Sequence, residues 1–133
     1  REMVDTSTSQ EINRRDLARP ALDAFFNIAN LWHLDTEQQM NLLGLESRST
    51  FFKWKKEKNG LLSKDTLERI SYILGIYKAL QILFPNPSIA DEWIHKSNTA
   101  FDEKSALDRM LSGNVVDLFE VRQYLDAQRG GWS

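Results

Sequence analysis

The chain has 133 residues, no cysteine and a formal net charge of −2 at neutral pH. This length fits one domain or two small units that share a core, and a hydrophobic content of 41% is enough for a compact interior. The absence of cysteine excludes disulfides and thiolate metal sites and fits a reducing cytoplasm. Apolar runs are too short and too often broken by charges for a membrane span or a signal peptide, so we expect a cytoplasmic protein without membrane association.

The charge is distributed unevenly along the chain. Residues 47–64 carry six basic side chains and one acidic side chain, a local charge of +5, whereas residues 1–46 carry −4 and residues 89–133 carry −3. A basic island within an acidic chain favours one surface that faces a polyanion.

The first half of the chain has the pattern of short helices. Residues 1–15 are polar and are interpreted as a flexible N-terminal arm. From Asp16 onward, apolar side chains recur at three- and four-residue steps, which predicts a helix. Asp35 with Gln38 has the form of a capping box that opens a second helix, and Gly44 is a natural left-handed stop for it.

A third helix is predicted from Arg48 to about Lys58, with Ser47 as its N-cap. A short helix, a glycine turn and another short helix have the outline of a helix-turn-helix. Ser63 then opens a long helix that is apolar on two sides and ends before Pro85, so we expect it to be the buried central spine.

The last third predicts three more helices and no strand. Ser88 with Asp91 and Ser105 with Asp108 form capping pairs for two short helices, and Asn114 is the predicted cap of the last one. The predicted fold is therefore all-α. A helix-turn-helix bundle over residues 16–84 is joined by the long central helix to a small C-terminal helical unit over residues 85–133.

The third helix contains candidate DNA-binding residues. Short polar side chains and Arg near the start of such a helix suit base edges, and Lys farther along suits phosphates. These candidates are Arg48, Ser49, Thr50, Lys53, Lys55 and Lys56. Phe51 and Trp54 are expected to pack inward. The alternative is an ordinary solvated helix face, against which the Gly44 turn and the basic island favour DNA binding.

The chain ends in Gln128-Arg129-Gly130-Gly131-Trp132-Ser133. Two glycines allow the backbone to approach a foreign surface closely, and Arg and Trp are enriched at binding hot spots. This pattern indicates a segment that a partner protein binds. The alternative is an ordinary helix stop with a fraying end, or Trp132 folded back on its own domain.

Motifs for catalysis are absent from the sequence. It contains no Gly-rich phosphate loop, no His or Cys pair at metal spacing and no nucleophile elbow. We therefore expect a binding protein that is not an enzyme and that needs no cofactor and no metal.

Several segments of the last third resemble one known domain. In order and spacing, Phe101, 105–108, 110–113, 121–126 and 129–132 resemble the toxin-binding domain of the Xre/MbcA/ParS family of bacterial antitoxins. Residues 48–54 and 67–80 resemble the Xre-like helix-turn-helix of the same family. The resemblance covers roughly residues 16–133.

The resemblance implies an antitoxin that pairs with a RES-domain toxin, an enzyme that destroys NAD. It implies that the C-terminal unit covers the active site of the toxin, that the helix-turn-helix represses the promoter of its own operon, and that the antitoxin is a homodimer. The toxin-binding candidates are Arg109, Tyr124, Gln128, Arg129, Gly130, Gly131 and Trp132. The alternatives are a stand-alone regulator whose C-terminal helices only dimerise, and an antitoxin with a degenerate helix-turn-helix. A third alternative is an antitoxin whose partner is a toxin of another type than RES.

Overall fold

The computed structural model describes the backbone of residues 6–130 and the side chains of residues 16–130. Within that range the helices are α1 (Thr6–Leu31), α2 (Thr36–Leu43), α3 (Arg48–Glu57), α4 (Lys64–Leu83), α5 (Pro87–Glu92), α6 (Ala106–Met110) and α7 (Val115–Gln128). The predicted all-α class is confirmed. Strands β1 (Ser97–Asn98) and β2 (Lys104–Ser105) form an antiparallel pair that is too short to leave an alternating pattern in the sequence.

The first helix begins earlier than its apolar pattern predicts. The backbone is helical from Thr6, whereas the predicted start is Asp16 and residues 1–15 are the predicted arm. Hydrogen bonds propagate along a helix once it is nucleated, so its end can extend beyond its apolar stripe. Over residues 6–15 the structure therefore has a helical backbone where a flexible arm is predicted. Residues 1–5 of the predicted arm lie outside the described range. The domain boundaries at residues 15 and 84 remain predictions.

The predicted ends of α2 and the start of α3 are confirmed. The Asp35 carboxylate accepts a hydrogen bond of 2.8 Å from the Gln38 amide, and the Gln38 side chain accepts one of 2.9 Å from the Asp35 amide. Gly44 has a left-handed φ of 74° at the end of α2. The Ser47 hydroxyl accepts from the Thr50 amide at 3.2 Å. These contacts fix where the chain turns between the two helices.

One predicted cap is wrong, and another is confirmed in its position only. The short helix α5 is capped by Asn86, whose side-chain oxygen accepts a hydrogen bond of 2.9 Å from the Ser88 amide, and not by a Ser88–Asp91 pair. Pro87 occupies the first turn, where its missing amide costs nothing. Asn114 stands at the start of α7 but makes no side-chain capping bond there. The Ser112 hydroxyl instead bonds Asp117 in the first turn of α7.

The long helix α4 is the central element, as its two apolar sides predict. It packs against α7 and α1, and also against α2 and α5. Its fully or almost fully buried apolar residues are Ile70, Ile73, Ile76, Ala79 and Leu80. Because α4 contacts helices of both halves of the chain, the helix-turn-helix and the C-terminal helices share one core.

Candidate functional site

Helix α3 is anchored by one apolar side and presents the other to solvent. The Phe51 ring is fully buried and lies edge-on to Phe26, with their centroids 5.7 Å apart. Trp54 is half-buried against the core, so the predicted inward packing of both aromatics is confirmed. Of the predicted DNA-binding residues, Arg48, Ser49, Lys53, Lys55 and Lys56 are exposed and Thr50 is half-buried. We call the surface of these six residues the basic face of α3.

The first residue of the basic face has two close neighbours. The Arg48 guanidinium forms an ion pair with Glu37, in the first turn of α2, and lies 6.0 Å from the centroid of the Phe52 ring. By contrast, Lys58 at the end of α3 pairs with Asp23 of α1 at 3.2 Å. Part of the basic island is thus neutralised within the molecule, and the three lysines of the basic face remain directed to solvent.

A second surface lies between α6 and α7. An open groove of about 630 Å³ is lined by Ala100, Phe101, Arg109, Val116, Phe119, Glu120, Gln123, Tyr124 and Ala127. We call it the α6–α7 groove. The Arg109 guanidinium donates a hydrogen bond of 2.8 Å to Glu120 and lies 5.7 Å from the centroid of the Phe101 ring. Val116 and Phe119 are 52% and 43% exposed, so part of the apolar lining of the groove is open to solvent.

Three aromatic rings support one side of this groove. Trp93 and Tyr124 are stacked with centroids 6.2 Å apart, and Phe101 lies edge-on to Tyr124 at 5.4 Å. Such pairs stabilise by about 0.5–1.5 kcal/mol each beyond their burial. Tyr124 also lines a second hollow, together with Leu83, Phe84, Trp93, Leu125 and Gln128. The cluster therefore holds Tyr124 between two concave surfaces.

The end of α7 carries the remaining described residues of the tail. Arg129 lies 3.7 Å from the Asp126 carboxylate, a surface ion pair, and Gly130 has a left-handed φ of 94°. Both line a small hollow with Arg122 and Asp126. Gly131 and Trp132 lie outside the described residues, so the predicted contact of the tail with a partner stays a prediction.

Comparisons with known proteins assign a family to the chain. Residues 11–75 match the Antitoxin Xre-like helix-turn-helix domain, and residues 79–131 match the Antitoxin Xre/MbcA/ParS C-terminal toxin-binding domain. The chain belongs to the Xre family of antitoxins. It is also 59% identical over 110 residues to the uncharacterized protein y4oB of Sinorhizobium fredii, covering 83% of this chain and 84% of that protein.

The two matched domains divide the predicted site residues of the antitoxin into two groups. The basic face of α3 lies within the helix-turn-helix match, and the α6–α7 groove and the described tail lie within the toxin-binding match. The structure brings Arg109 and Tyr124 together in the groove. It places Gln128 in the neighbouring hollow, and Arg129 and Gly130 in the small hollow at the end of α7.

A polar contact joins the two domains of the antitoxin. The Arg69 guanidinium on α4 donates to the carbonyl oxygens of Asn41 at 3.5 Å and Gly113 at 3.0 Å, and its Nε pairs with Asp65 at 2.9 Å. The Asn41 side chain donates to the Leu111 carbonyl at 3.0 Å. The α2 helix is thereby hydrogen-bonded to the turn between α6 and α7.

Sequence reasoning missed several residues of these surfaces, among them Val116, Phe119 and Glu37. Val116 and Phe119 are three residues apart on α7, outside the buried stripe of Leu118, Val121 and Leu125, and this second apolar pair is a usable signal. Glu37 gave no signal, because its pairing with Arg48 depends on how α2 and α3 pack.

Two further properties complete the description of the antitoxin. No helix in the described part of the chain is long and apolar enough to cross a membrane. Within the same residues, no group of three or more His, Cys, Asp or Glu side chains is placed to hold a metal ion.

Proposed function

We propose that this antitoxin neutralises a RES-domain, NAD-degrading toxin by covering its active site with the α6–α7 groove and the C-terminal tail, and that it represses its own operon through the basic face of α3. The observation that carries the first part is the exposed apolar and aromatic lining of the groove beside Arg109. The protein itself is a binding protein without catalytic activity, in keeping with its two domain families.

The composition of the groove supports a protein partner. Aromatic and Arg side chains dominate binding hot spots, because they bury large areas and lose little conformational freedom. Phe101, Phe119, Tyr124 and Arg109 supply these types within one concave surface. Arg109 is already oriented by Glu120 and Phe101, so binding would cost little further ordering of its side chain.

The end of α7 supports a role for the tail. Gly130 is left-handed and ends the helical path of the backbone at the hollow that it lines together with Arg129. The next residue is again glycine and is followed by Trp132. In this proposal the tail reaches the active site of the toxin, with Trp132 as its apolar anchor and Arg129 as a donor to a carboxylate or polar rim.

Neutralisation is tested by expressing the protein encoded beside this antitoxin, alone and with antitoxin variants, and measuring growth and cellular NAD. Wild-type antitoxin should restore both. Deletion of residues 129–133 should abolish protection while helical circular dichroism and promoter binding are retained. Full protection by the truncated protein would refute the role of the tail, and a neighbouring protein that leaves NAD unchanged would refute the RES assignment.

The groove is tested separately by Arg109→Ala and Phe119→Ala. Each variant should weaken binding to the purified toxin by more than about 1 kcal/mol, the scale of a hot-spot residue. Ile89→Ala is a matched control, because Ile89 is also about half exposed but lies on α5 outside the groove. Equal effects of Phe119→Ala and Ile89→Ala would argue against the groove as the toxin-binding surface.

Repression is tested with the promoter of the same operon. The triple change of Lys53, Lys55 and Lys56 to Glu should abolish binding, because three cations that would contact phosphates become anions that repel them. Each lost phosphate contact should also reduce the salt dependence of the affinity by about one counterion. This variant should still protect cells from the toxin. If wild-type antitoxin does not bind the promoter at any salt concentration, the helix-turn-helix is degenerate and the protein acts on the toxin alone.

The homodimer is part of the same proposal and has its own test. Light scattering on purified antitoxin should give twice the mass of the 15.4 kDa chain. A symmetric dimer would present two copies of α3 to a promoter with two half-sites, whose spacing reflects the distance between these helices. A monomeric mass at the concentrations used for promoter binding would contradict this part.

A further inference from the structure

Glu37 is a carboxylate located beside the proposed DNA-reading residues. It lies in the first turn of α2, its side chain is 71% exposed, and its ion-pair partner is Arg48, the first residue of α3. A negative charge in the first turn also suits the helix dipole of α2. That role does not require a contact with α3, so the pairing with Arg48 calls for a separate explanation.

Two groups lie beside the Arg48 guanidinium. It forms an ion pair with the Glu37 carboxylate and lies 6.0 Å from the centroid of the Phe52 ring. A guanidinium has five N–H donors in a planar fork, and one contact leaves others available. An Arg oriented in this way loses less conformational freedom when it meets a fixed pair of acceptors.

The charge of Glu37 opposes simple phosphate binding. A carboxylate beside Arg48 cancels part of its positive charge and repels the DNA backbone, which weakens the sequence-independent attraction on which non-specific binding depends. A surface that only held phosphates would gain from the absence of Glu37. The arrangement instead favours a specific contact, because Arg48 keeps its fork geometry while the general attraction is reduced.

We propose that Glu37 is a positioning residue that directs Arg48 to a guanine in the major groove and thereby sets the sequence specificity of the antitoxin. The acceptors would be O6 and N7 of the guanine, the pair that an Arg fork matches best. This inference rests on the proposed binding of promoter DNA by the basic face of α3. Beyond that proposed binding, Glu37 makes the discrimination between bases depend on a residue of α2.

The experiment uses full-length protein and duplexes selected from a randomised DNA pool by the wild-type antitoxin. In the selected site each guanine is replaced in turn by 7-deazaguanine, which lacks the N7 acceptor. Wild-type affinity should fall roughly tenfold or more at one guanine, the scale of a bidentate base contact. Arg48→Ala should abolish this difference, which identifies the guanine that Arg48 reads.

Glu37→Gln should reduce the discrimination at that same guanine several-fold and raise the affinity for unrelated DNA. Glu46→Gln is the matched control. It removes the same charge next to α3, and Glu46 makes no ion pair among the described residues. It should raise non-specific affinity without reducing discrimination. Thermal unfolding of both variants shows that they fold, and a loss of stability alone would not change the ratio of the two affinities.

The outcomes separate this inference from the proposed function. Unchanged discrimination in Glu37→Gln, with a clear guanine effect in the wild type, would overturn the positioning role and leave promoter binding intact. Discrimination that is lost equally in Glu46→Gln would also overturn it, because general charge would then be the cause. If the wild-type antitoxin enriches no duplex from the pool, both the inference and the proposed repression are wrong.

Discussion

The guanidinium of Arg69 donates a hydrogen bond of 3.0 Å to the carbonyl oxygen of Gly113, a residue 44 positions farther along the chain. Arg69 belongs to the helix-turn-helix match and Gly113 to the toxin-binding match. The same side chain bonds the Asn41 carbonyl, so one cation satisfies backbone acceptors of both domains. This side chain therefore adds a polar contact between α2 and the turn before α7 to the core that the two domains share around α4.

Replacing Arg69 by Leu should destabilise the antitoxin by about 1–3 kcal/mol, since the carbonyl of Gly113 and that of Asn41 lose a charged donor. The Arg69 side chain is only 12% exposed, so water replaces these bonds incompletely. Urea unfolding followed by circular dichroism measures the change. Lys78→Ala, at an exposed position of the same helix, should change stability by less than about 0.5 kcal/mol. Equal effects of the two changes would contradict the bridging role.

Gly44→Ala should lower the unfolding free energy of the antitoxin by more than Gly113→Ala does. Both glycines have a left-handed φ, of 74° and 98°. The backbone penalty for an L-residue in this region is about 1–2 kcal/mol at either position. At Gly44 an added Cβ would lie 2.9 Å from Arg69 Nε, whereas at Gly113 it meets nothing within 4 Å. The difference in unfolding free energy thus reports mainly on the contacts of the added Cβ with Arg69 and with Asp65 Oδ2, which lies 3.1 Å away. A larger loss at Gly113 would show that these contacts are unimportant.

The effect of Gly75→Ala on stability should depend on the side chain at position 122. In the interior of a helix, alanine is favoured over glycine by about 1 kcal/mol. An added Cβ at Gly75 would approach the Arg122 guanidinium to 2.5 Å, so that flexible side chain must move. We expect Gly75→Ala to be nearly neutral in the wild type and stabilising by about 0.5–1 kcal/mol in an Arg122→Ala background. A double-mutant cycle from thermal unfolding measures the coupling, and simple additivity would argue against the contact.

Tyr72 should ionise at a higher pH than an ordinary tyrosine. Its hydroxyl donates a hydrogen bond of 3.0 Å to Glu68, and this bond, with a smaller effect of desolvation, raises the pKa of Tyr72 above 10.0. Because the folded-state pKa is raised, the associated stability is present below the unfolded pKa of about 10 and is lost as the pH rises through the folded value.

Glu68→Gln should bring the pKa of Tyr72 back toward 10, as measured by the ring signals of each tyrosine in an NMR titration. Tyr77 provides the internal control, because burial is the main cause that raises its pKa and Glu68 does not contribute. A parallel decrease for both tyrosines would mean that the change acts through a general loosening of the fold.

Local chemistry explains which helix ends were predictable. The Asp35–Gln38 and Ser105–Asp108 capping boxes, the Gly44 stop and the Ser47 cap involve residues within a few positions of each other, and all are found as expected. The cap of α5 was misassigned because Asn86, Pro87 and Ser88 all suit a helix start. The early start of α1 was missed because residues 6–15 offer no apolar stripe.

The helical class, most helix ends, the basic character of α3 and the inward packing of Phe51 can be predicted from the sequence, because each depends on neighbours along the chain. The structure was needed to show that Arg109, Phe119 and Tyr124 line one groove, and that Arg69 bonds the turn at Gly113. The same is true of the pairing of Glu37 with Arg48. These contacts join separate helices, and whether two such side chains meet depends on the packing of the whole core around α4.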